Sequence, residues 1–280
     1  MSYGKSKVRL ARLVRADRHE FSDAEVTVRL DGDFSATHLR GDNAGLMATD
    51  TMRNVVYALA AENPGEPSFE LAARLGRHYL GCSDLVSRVH ITIAERRWDR
   101  LTTDGNPHPH AFVSGGDETA ISEALTDRAT GVRFAGGIGH LTLLKTTGSA
   151  FRGFARDRHT TLPETADRIM ASSIDVRWTF SATDVPRAAL HAELRALIVD
   201  TFINSFSDSV QQTAYTMGAR LIENTESIAE VHLSLPNLHY IPFDVSRFDQ
   251  DGSNAIFVAT TEPHGQINVT VVRDGATPPQ

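Results

Sequence analysis

Basic and apolar side chains alternate along residues 7–16, and residues 25–30 (EVTVRL) alternate again. This period of two predicts an antiparallel strand pair, turned either at 17–20 or at Asp23. The period then changes. In residues 47–61 (MATDTMRNVVYALAA), Met52, Val55, Val56, Leu59 and Ala60 recur at helical spacing, and Asn63-Pro64-Gly65 ends the helix. A second helix runs from Ser68, with Phe69, Leu71, Ala72, Leu75 and Leu80 apolar and Gly81 at its end. Strands return at 87–95 and, after the turn Asp104-Gly105-Asn106-Pro107, at 110–114.

The second half repeats this order. Residues 131–134 and 140–144 read as two strands, a long polar loop spans 151–168, and a strand follows at 174–180. Asp184 caps the next predicted helix, with Pro186 in its first turn and Leu190, Leu194, Leu197 and Ile198 as its apolar stripe. Ser207 is the expected cap of a further helix carrying Val210, Ala214, Met217 and Leu221. Strands at 231–235, 255–259 and 267–272 complete the pattern. Strands grouped apart from helices predict an α+β fold with antiparallel sheets and helices on one face. The repeat is one of element order, and glycine-rich VRFAGGIG marks the boundary, giving domains 1–134 and 135–280.

Composition narrows the function class. The 280 residues are 41% hydrophobic and 22% charged, as in an ordinary globular protein. A net charge of −7 argues against a nucleic-acid face, which needs a basic excess. The single cysteine, Cys82, excludes an internal disulfide framework and fits a reducing compartment. No stretch approaches the roughly 18 apolar residues of a membrane span, and no signal-peptide core follows the basic N-terminus. The C-terminus, TPPQ, lacks the Ser-Lys-Leu peroxisomal address, so a cytoplasmic protein is expected.

The loop FRGFARDRHTTLPETADR carries Phe151 at one end and Arg168 at the other. A flat ring and a planar guanidinium suit a flat, heteroatom-rich ligand, one covering its face and the other reading its edge. Four further segments hold polar residues beyond structural need. Lys5 lies just ahead of the first strand, where a lysine is ordinarily a solvated charge. Thr49 and Asp50 stand at a helix start, where capping alone explains them. Gln211 falls in the first turn of a later helix. Asn237 and His239, two apart in LPNLH, point the same way along an extended backbone. His108-Pro109-His110 has metal-site spacing but no third histidine nearby, so a hairpin is the better reading. Gly136-Gly137-Ile138-Gly139 lacks the setting of a nucleotide loop.

Taken in order, YGK, ATDTMRNVVY, LKTTGSAFRGFARDRHTTLPETADRI, SVQQT and SLPNLHY closely resemble the urate oxidase (uricase) family over almost the whole chain. The resemblance implies tandem tunnel-fold (T-fold) domains, each an antiparallel four-stranded sheet with two helices. It also implies assembly into a homotetrameric β-barrel tunnel with active sites between subunits. The implied reaction is oxidation of urate by dioxygen to 5-hydroxyisourate and hydrogen peroxide, with no metal and no organic cofactor.

Carried over by residue, the resemblance implies that Phe151 stacks on the purine while Arg168 and Gln211 hold opposite edges, aided by the Val210 amide. Thr49 and Asp50 would reach it from a neighbouring subunit. Asn237 would sit where dioxygen and then water bind, Lys5, Thr49 and His239 would relay protons, and Ile267 would line the pocket. Two positions depart from the family pattern: Gln266 replaces an expected apolar residue, and Leu238 replaces a common lysine. Competing expectations are a zinc-dependent tunnel-fold enzyme acting on purines or pterins, using His108 and His110, and a purine-binding tetramer without turnover.

Overall fold

The computed structural model describes residues 1–181, 183–251 and 254–274. Eight strands follow chain order in one sheet: β1 (Ser2–Val14), β2 (Glu20–Gly32), β3 (Val86–Thr103), β4 (Asn106–Asp127), β5 (Gly131–Lys145), β6 (Met170–Phe180), β7 (Ile228–Pro242) and β8 (Phe257–Val272). The helices are α1 (Ser35–Arg40), α2 (Thr49–Glu62), α3 (Ser68–Gly81), α4 (Leu190–Asn204) and α5 (Val210–Asn224). The chain divides into unit 1 (Met1–Gly139 with Thr179–His191) and unit 2 (His140–Trp178 with Ala192–Gln280). The expected α+β class with antiparallel strands is therefore what forms. No described helix is long and apolar enough to cross a membrane.

In unit 1, alternation along β1, β2 and β3 turns Val8, Leu10, Val26, Val28, Leu30, Val89, Ile91 and Ile93 inward. They pack in one core with Met52, Val56 and Ala60 of α2 and with Phe69, Leu71, Ala72, Leu75 and Tyr79 of α3. Each fully buried Val, Leu, Ile, Phe or Met side chain contributes about 1.5–3 kcal/mol. The Tyr79 hydroxyl donates to the Met52 carbonyl at 2.7 Å, fastening α3 to α2. In unit 2 the helical stripe Val210, Ala214, Met217 and Leu221 is buried, as are Val231, Leu233 and Leu235 of β7.

The repeat of element order extends to local detail. Lys7 and His140 both adopt positive φ, 56° and 58°. Each donates its amide to a side-chain oxygen of another strand, Lys7 to Thr27 Oγ1 at 3.2 Å and His140 to Asp175 Oδ1 at 2.8 Å. The in-and-out order of burial along residues 23–32 matches that along 171–180. Both second helices carry a glycine at the same offset from their start, Ser68 to Gly76 and Val210 to Gly218. A Cβ at Gly76 would lie 2.1 Å from Thr126 Oγ1, and one at Gly218 would lie 2.8 Å from Val271 Cγ2. Close approach of helix to sheet requires glycine at both places.

Several boundaries differ from the sequence expectation. β1 begins at Ser2, so Lys5 lies inside a strand and not ahead of one. The first turn falls at 15–19, leaving Asp23 buried within β2. Residues 131–134 and 140–144 belong to one strand, because the intervening glycines continue the ladder with β4. Helix α4 starts at Leu190, so Asp184 is not its cap and Pro186 is not in its first turn. The short α1 has no apolar period to announce it. The hairpin reading of residues 104–107 holds: Asp104 and Gly105 take φ of 52° and 77°, the pair of left-handed residues that a tight hairpin needs.

Candidate active site

The loop between β5 and β6 is ordered by a short extended rib. Phe151 and Thr165 exchange backbone hydrogen bonds at 2.9 and 3.1 Å, and the Arg168 amide donates to the Ser149 carbonyl at 2.8 Å. On the rib's other edge the Ala150 amide donates to the Ser207 carbonyl at 2.8 Å, and the Ser207 amide to the Gly148 carbonyl at 3.0 Å. Phe151 therefore rides on a segment bonded on one side to the approach to Arg168 and on the other to the approach to α5.

Side chains lock both edges. The Asp167 carboxylate accepts from the Gly148 amide at 2.8 Å and from the Thr147 hydroxyl at 2.7 Å. The Thr147 hydroxyl, followed by the amides of Gly148, Ser149 and Arg168, holds the Asp167 carboxyl below its usual range against a smaller desolvation effect. On the α5 side, Ser207 is fully buried, donates to the Ser209 carbonyl at 3.1 Å and accepts from the Thr213 hydroxyl at 2.7 Å.

Arg168 is half-buried, and its guanidinium carbon lies 5.1 Å from the centroid of the Phe151 ring. Burial pushes its pKa down. Its Nε is buried without a hydrogen-bond partner, and among the described residues it has no carboxylate partner. A desolvated cation left in that state is costly until an anion or acceptor meets it. Phe154 stacks on Phe151 at 4.8 Å between centroids and 11° between planes.

The cap of α5 is Ser209, not Ser207. Ser209 Oγ accepts from the Gln212 amide at 3.1 Å, and the Gln212 side chain accepts from the Asp208 amide at 3.0 Å, a relative of the capping box whose return bond reaches one residue before the cap. Of the two adjacent glutamines, Gln212 is thereby committed to structure. Gln211 stays exposed, and the cap leaves the Val210 and Gln211 amides at the positive end of the helix. Val210 itself is buried.

Asn237 stands opposite Gly265, and Ile267 opposite Leu235, in the β7–β8 ladder. A Cβ built on Gly265 would lie 4.0 Å from both Asn237 Cβ and Ile267 Cδ1, so these two side chains flank the same gap. Gln266 lies on the other face, where its amide donates to Ser234 Oγ at 2.7 Å. The ladder register shifts between Asn237 and His239, and His239 pairs with Thr260. With Leu238, Tyr240 and residues 259–262 it lines a pocket of ≈ 360 Å³. The two-residue spacing thus spans an irregular step and not a plain strand.

Lys5, Thr49 and Asp50 belong to unit 1. Lys5 pairs with Val28 and Val8 pairs with Val26, so one extra residue is inserted in β1 between them. Val26 and Val28 both face the core, so the insertion puts Lys5 on the same face as Val8. In a plain pleat of the same length, Lys5 and Val8, three residues apart, would face opposite ways. The Met47 amide donates to the Tyr3 hydroxyl at 3.0 Å, tying the start of β1 to the segment that enters α2. Simple capping does not explain Thr49 and Asp50: the cap position is Ala48, with no side-chain cap bond. Asp50 instead pairs with Arg53 at 2.8 Å.

Sequence reasoning missed Asp167, Thr147 and the capping pair Ser209–Gln212. The S-x-x-Q spacing was a usable signal for the last; Asp167 reads only as one more polar loop residue. His108 does not present a simple metal pair with His110, because the His110 amide donates to His108 Nδ1 at 3.3 Å. Among the described residues no group of three or more His, Cys, Asp or Glu is arranged to hold a metal.

Comparison with known proteins supplies the family. A family profile for uricase matches residues 1–124 and 134–268. The uricase of Arthrobacter globiformis is 40% identical over 277 residues, covering 98% of this chain and 89% of that protein. That of Dictyostelium discoideum is 33% identical, covering 97% and 96%. The crystal structure of Arthrobacter globiformis uricase superposes with a TM-score of 0.93 at 38% identity, covering 100% of this chain and 96% of that one. The chain belongs to the uricase family.

Proposed function

We propose that this chain is a urate oxidase, converting urate, dioxygen and water to 5-hydroxyisourate and hydrogen peroxide. The observation that carries the reading is Arg168, a half-buried guanidinium beside an aromatic ring with no carboxylate partner among the described residues. Urate is a planar anion with carbonyl and N–H groups along its edges. Its charge and one edge suit the Arg168 fork, its face suits Phe151, and its far edge suits Gln211 and the Val210 amide. Thr49 and Asp50 of a neighbouring subunit would close the pocket, in a homotetramer built from tandem tunnel-fold domains divided at 134/135.

Asn237, beside the gap at Gly265, is assigned to dioxygen and then water, with Ile267 as an apolar wall. Electron-rich urate becomes a better donor to dioxygen after losing a further proton, so substrate itself takes the part other oxidases give to a flavin or metal. Lys5, Thr49 and His239 are assigned the proton relay. Lysine is a poor base while charged, at a reference pKa of about 10.4, so the proton must pass along partners. A histidine can accept a proton at one ring nitrogen and donate from the other, which suits the other end.

The test is to strip the purified protein of metal, add urate in air and follow ultraviolet loss of urate with peroxide formation. Peroxide in proportion to urate consumed is expected. A correctly assembled protein that forms none overturns the proposal, and activity restored only by zinc would favour the metal-dependent alternative.

A further inference from the structure

Unit 1 contains a cavity of ≈ 290 Å³ lined by the ends of β1 and β2, the start of α3, and inward residues of β3 and β4. The internal repeat shows what this cavity is. Val89, Ile91 and Ile93 lead to Glu95 on β3 as Val231, Leu233 and Leu235 lead to Asn237 on β7. Ile93 pairs with Ser122 as Leu235 pairs with Ile267. The shared helix offset sets Ser68 and Phe69 against Val210 and Gln211. The matched burial order of β2 and β6, extended back along the strand, sets Glu20 against Arg168. Glu20, Ser68, Phe69, Glu95 and Ser122 all line the cavity. It is the counterpart, in the first repeat, of the clamp assigned to urate in the second.

The chemistry at these positions is inverted. Glu95 accepts from Ser22, Ser68 and Arg12, so its charge is met inside the wall. Glu66 is met by Arg74 at 2.7 Å. Arg12, 7% exposed, spends its guanidinium on Glu95, Ser22, Ser68 and the Glu66 carbonyl. Glu20, exposed at the rim, has no ion pair among the described residues and is the carboxylate left for a ligand. Phe69, stacked on His191 at 5.2 Å and 21°, and Phe21 supply flat apolar walls.

We propose that this cavity is a second small-molecule site, which takes a planar, uncharged heterocycle bearing two adjacent N–H donors on one edge. Where Arg168 offers donors to an anion, Glu20 offers two acceptor oxygens to a paired-donor edge, the geometry of a cyclic 2-amino amide. An anion such as urate is disfavoured there by the same carboxylate. The proposal stands whether or not the other site oxidises urate.

The probe is 2-aminopyrimidin-4-one (isocytosine), whose N–H and amino groups lie side by side; uracil is the control lacking the amino donor. Both are titrated into the full-length Arg168→Ala protein, in which the other site is disabled, by calorimetry or equilibrium dialysis. Saturable binding of one isocytosine per chain is expected, with uracil at least tenfold weaker. Glu20→Gln, at an exposed position, and Ala188→Trp, which blocks the exposed rim from another segment, should each weaken it at least tenfold without moving the melting curve. Absence of saturable binding to the Arg168→Ala protein, or binding that survives both Glu20→Gln and Ala188→Trp, overturns the proposal.

Discussion

The Asp167 carboxylate accepts the Gly148 amide at 2.8 Å, one residue ahead of the half-buried Arg168. Asp167 is assigned no substrate contact, yet with Thr147 it fixes where the approach to Arg168 meets the Phe151 rib. Replacing it frees that junction while leaving Arg168 in the chain. Asp167→Ala should raise KM for urate about tenfold with a smaller fall in kcat, and Asp167→Asn should recover part of the loss. Steady-state kinetics on the two variants check this; equal and large kcat losses in both would sink the positioning role.

The same group makes a statement about acid. Its folded-state pKa lies below the usual carboxylate range, so the stability it contributes is present above an unfolded value of about 3.9 and is lost as pH falls through the lower folded value. Asp127 acts in the same sense, lowered to about 2 by the Ala129 amide first, then Arg88 and the Thr130 amide. Melting temperature of the native chain should therefore fall more steeply below about pH 4 than that of Asp127→Asn, which lacks the titration. Parallel curves would refute it.

Arg168→Lys keeps the charge and loses the fork. A charge-assisted hydrogen bond contributes roughly 1.5–3 kcal/mol, so kcat/KM should fall by roughly ten- to a hundredfold, and Arg168→Ala by more. A lysine variant with native kcat/KM would show that bidentate recognition is not used.

Lys5→Met removes the proposed base and keeps an unbranched chain on the strand. Turnover should collapse by at least a hundredfold, while urate affinity in equilibrium binding moves little, since Lys5 is assigned to proton transfer. Normal turnover in a folded, assembled variant would remove Lys5 from the relay.

Alanine at the two mid-helix glycines should behave unequally. Ala gains about 1 kcal/mol in helix propensity at either place. At Gly76 the new methyl meets Thr126 Oγ1 at 2.1 Å and Thr126 Cβ at 3.0 Å, a short side chain with little room to move. Overpacking of this kind costs about 1–3 kcal/mol, so Gly76→Ala should be destabilised on balance. At Gly218 the contacts are the ends of Val271 and Leu233 at 2.8 and 2.9 Å, which yield more easily, so Gly218→Ala should lose less. Chemical denaturation of the two variants decides it.

How far the sequence could be read follows from where its periods survive. α2 was legible because five apolar residues keep helical spacing until Asn63-Pro64-Gly65 stops them. The true start of β1 was hidden because the insertion between Lys5 and Val8 breaks the period of two just where the strand begins. β5 looked like two strands because the three glycines between residues 134 and 140 carry no polarity signal, although the backbone ladder runs through them. Ser207 passed for a cap because it is a serine before a helix; burial against Thr213 gives it another task. The family was legible through resemblance, whereas the clamp proposed for urate has no signal of its own, since its residues come from separated segments with no common spacing. The Glu20 cavity was not, because equivalence across the repeat rests on burial order and strand register and not on residue identity.

The extra residue in β1 lets three residues of that strand span what β2 covers with two, and so keeps Lys5 and Val8 on one surface. Deleting Ser6 alone would restore an unbroken pleat in which Lys5 and Val8, now two residues apart, still share a surface and still pair with Val28 and Val26. The placing of Lys5 is thus buffered against a change of count, and a one-codon deletion there should cost turnover far less than loss of the lysine.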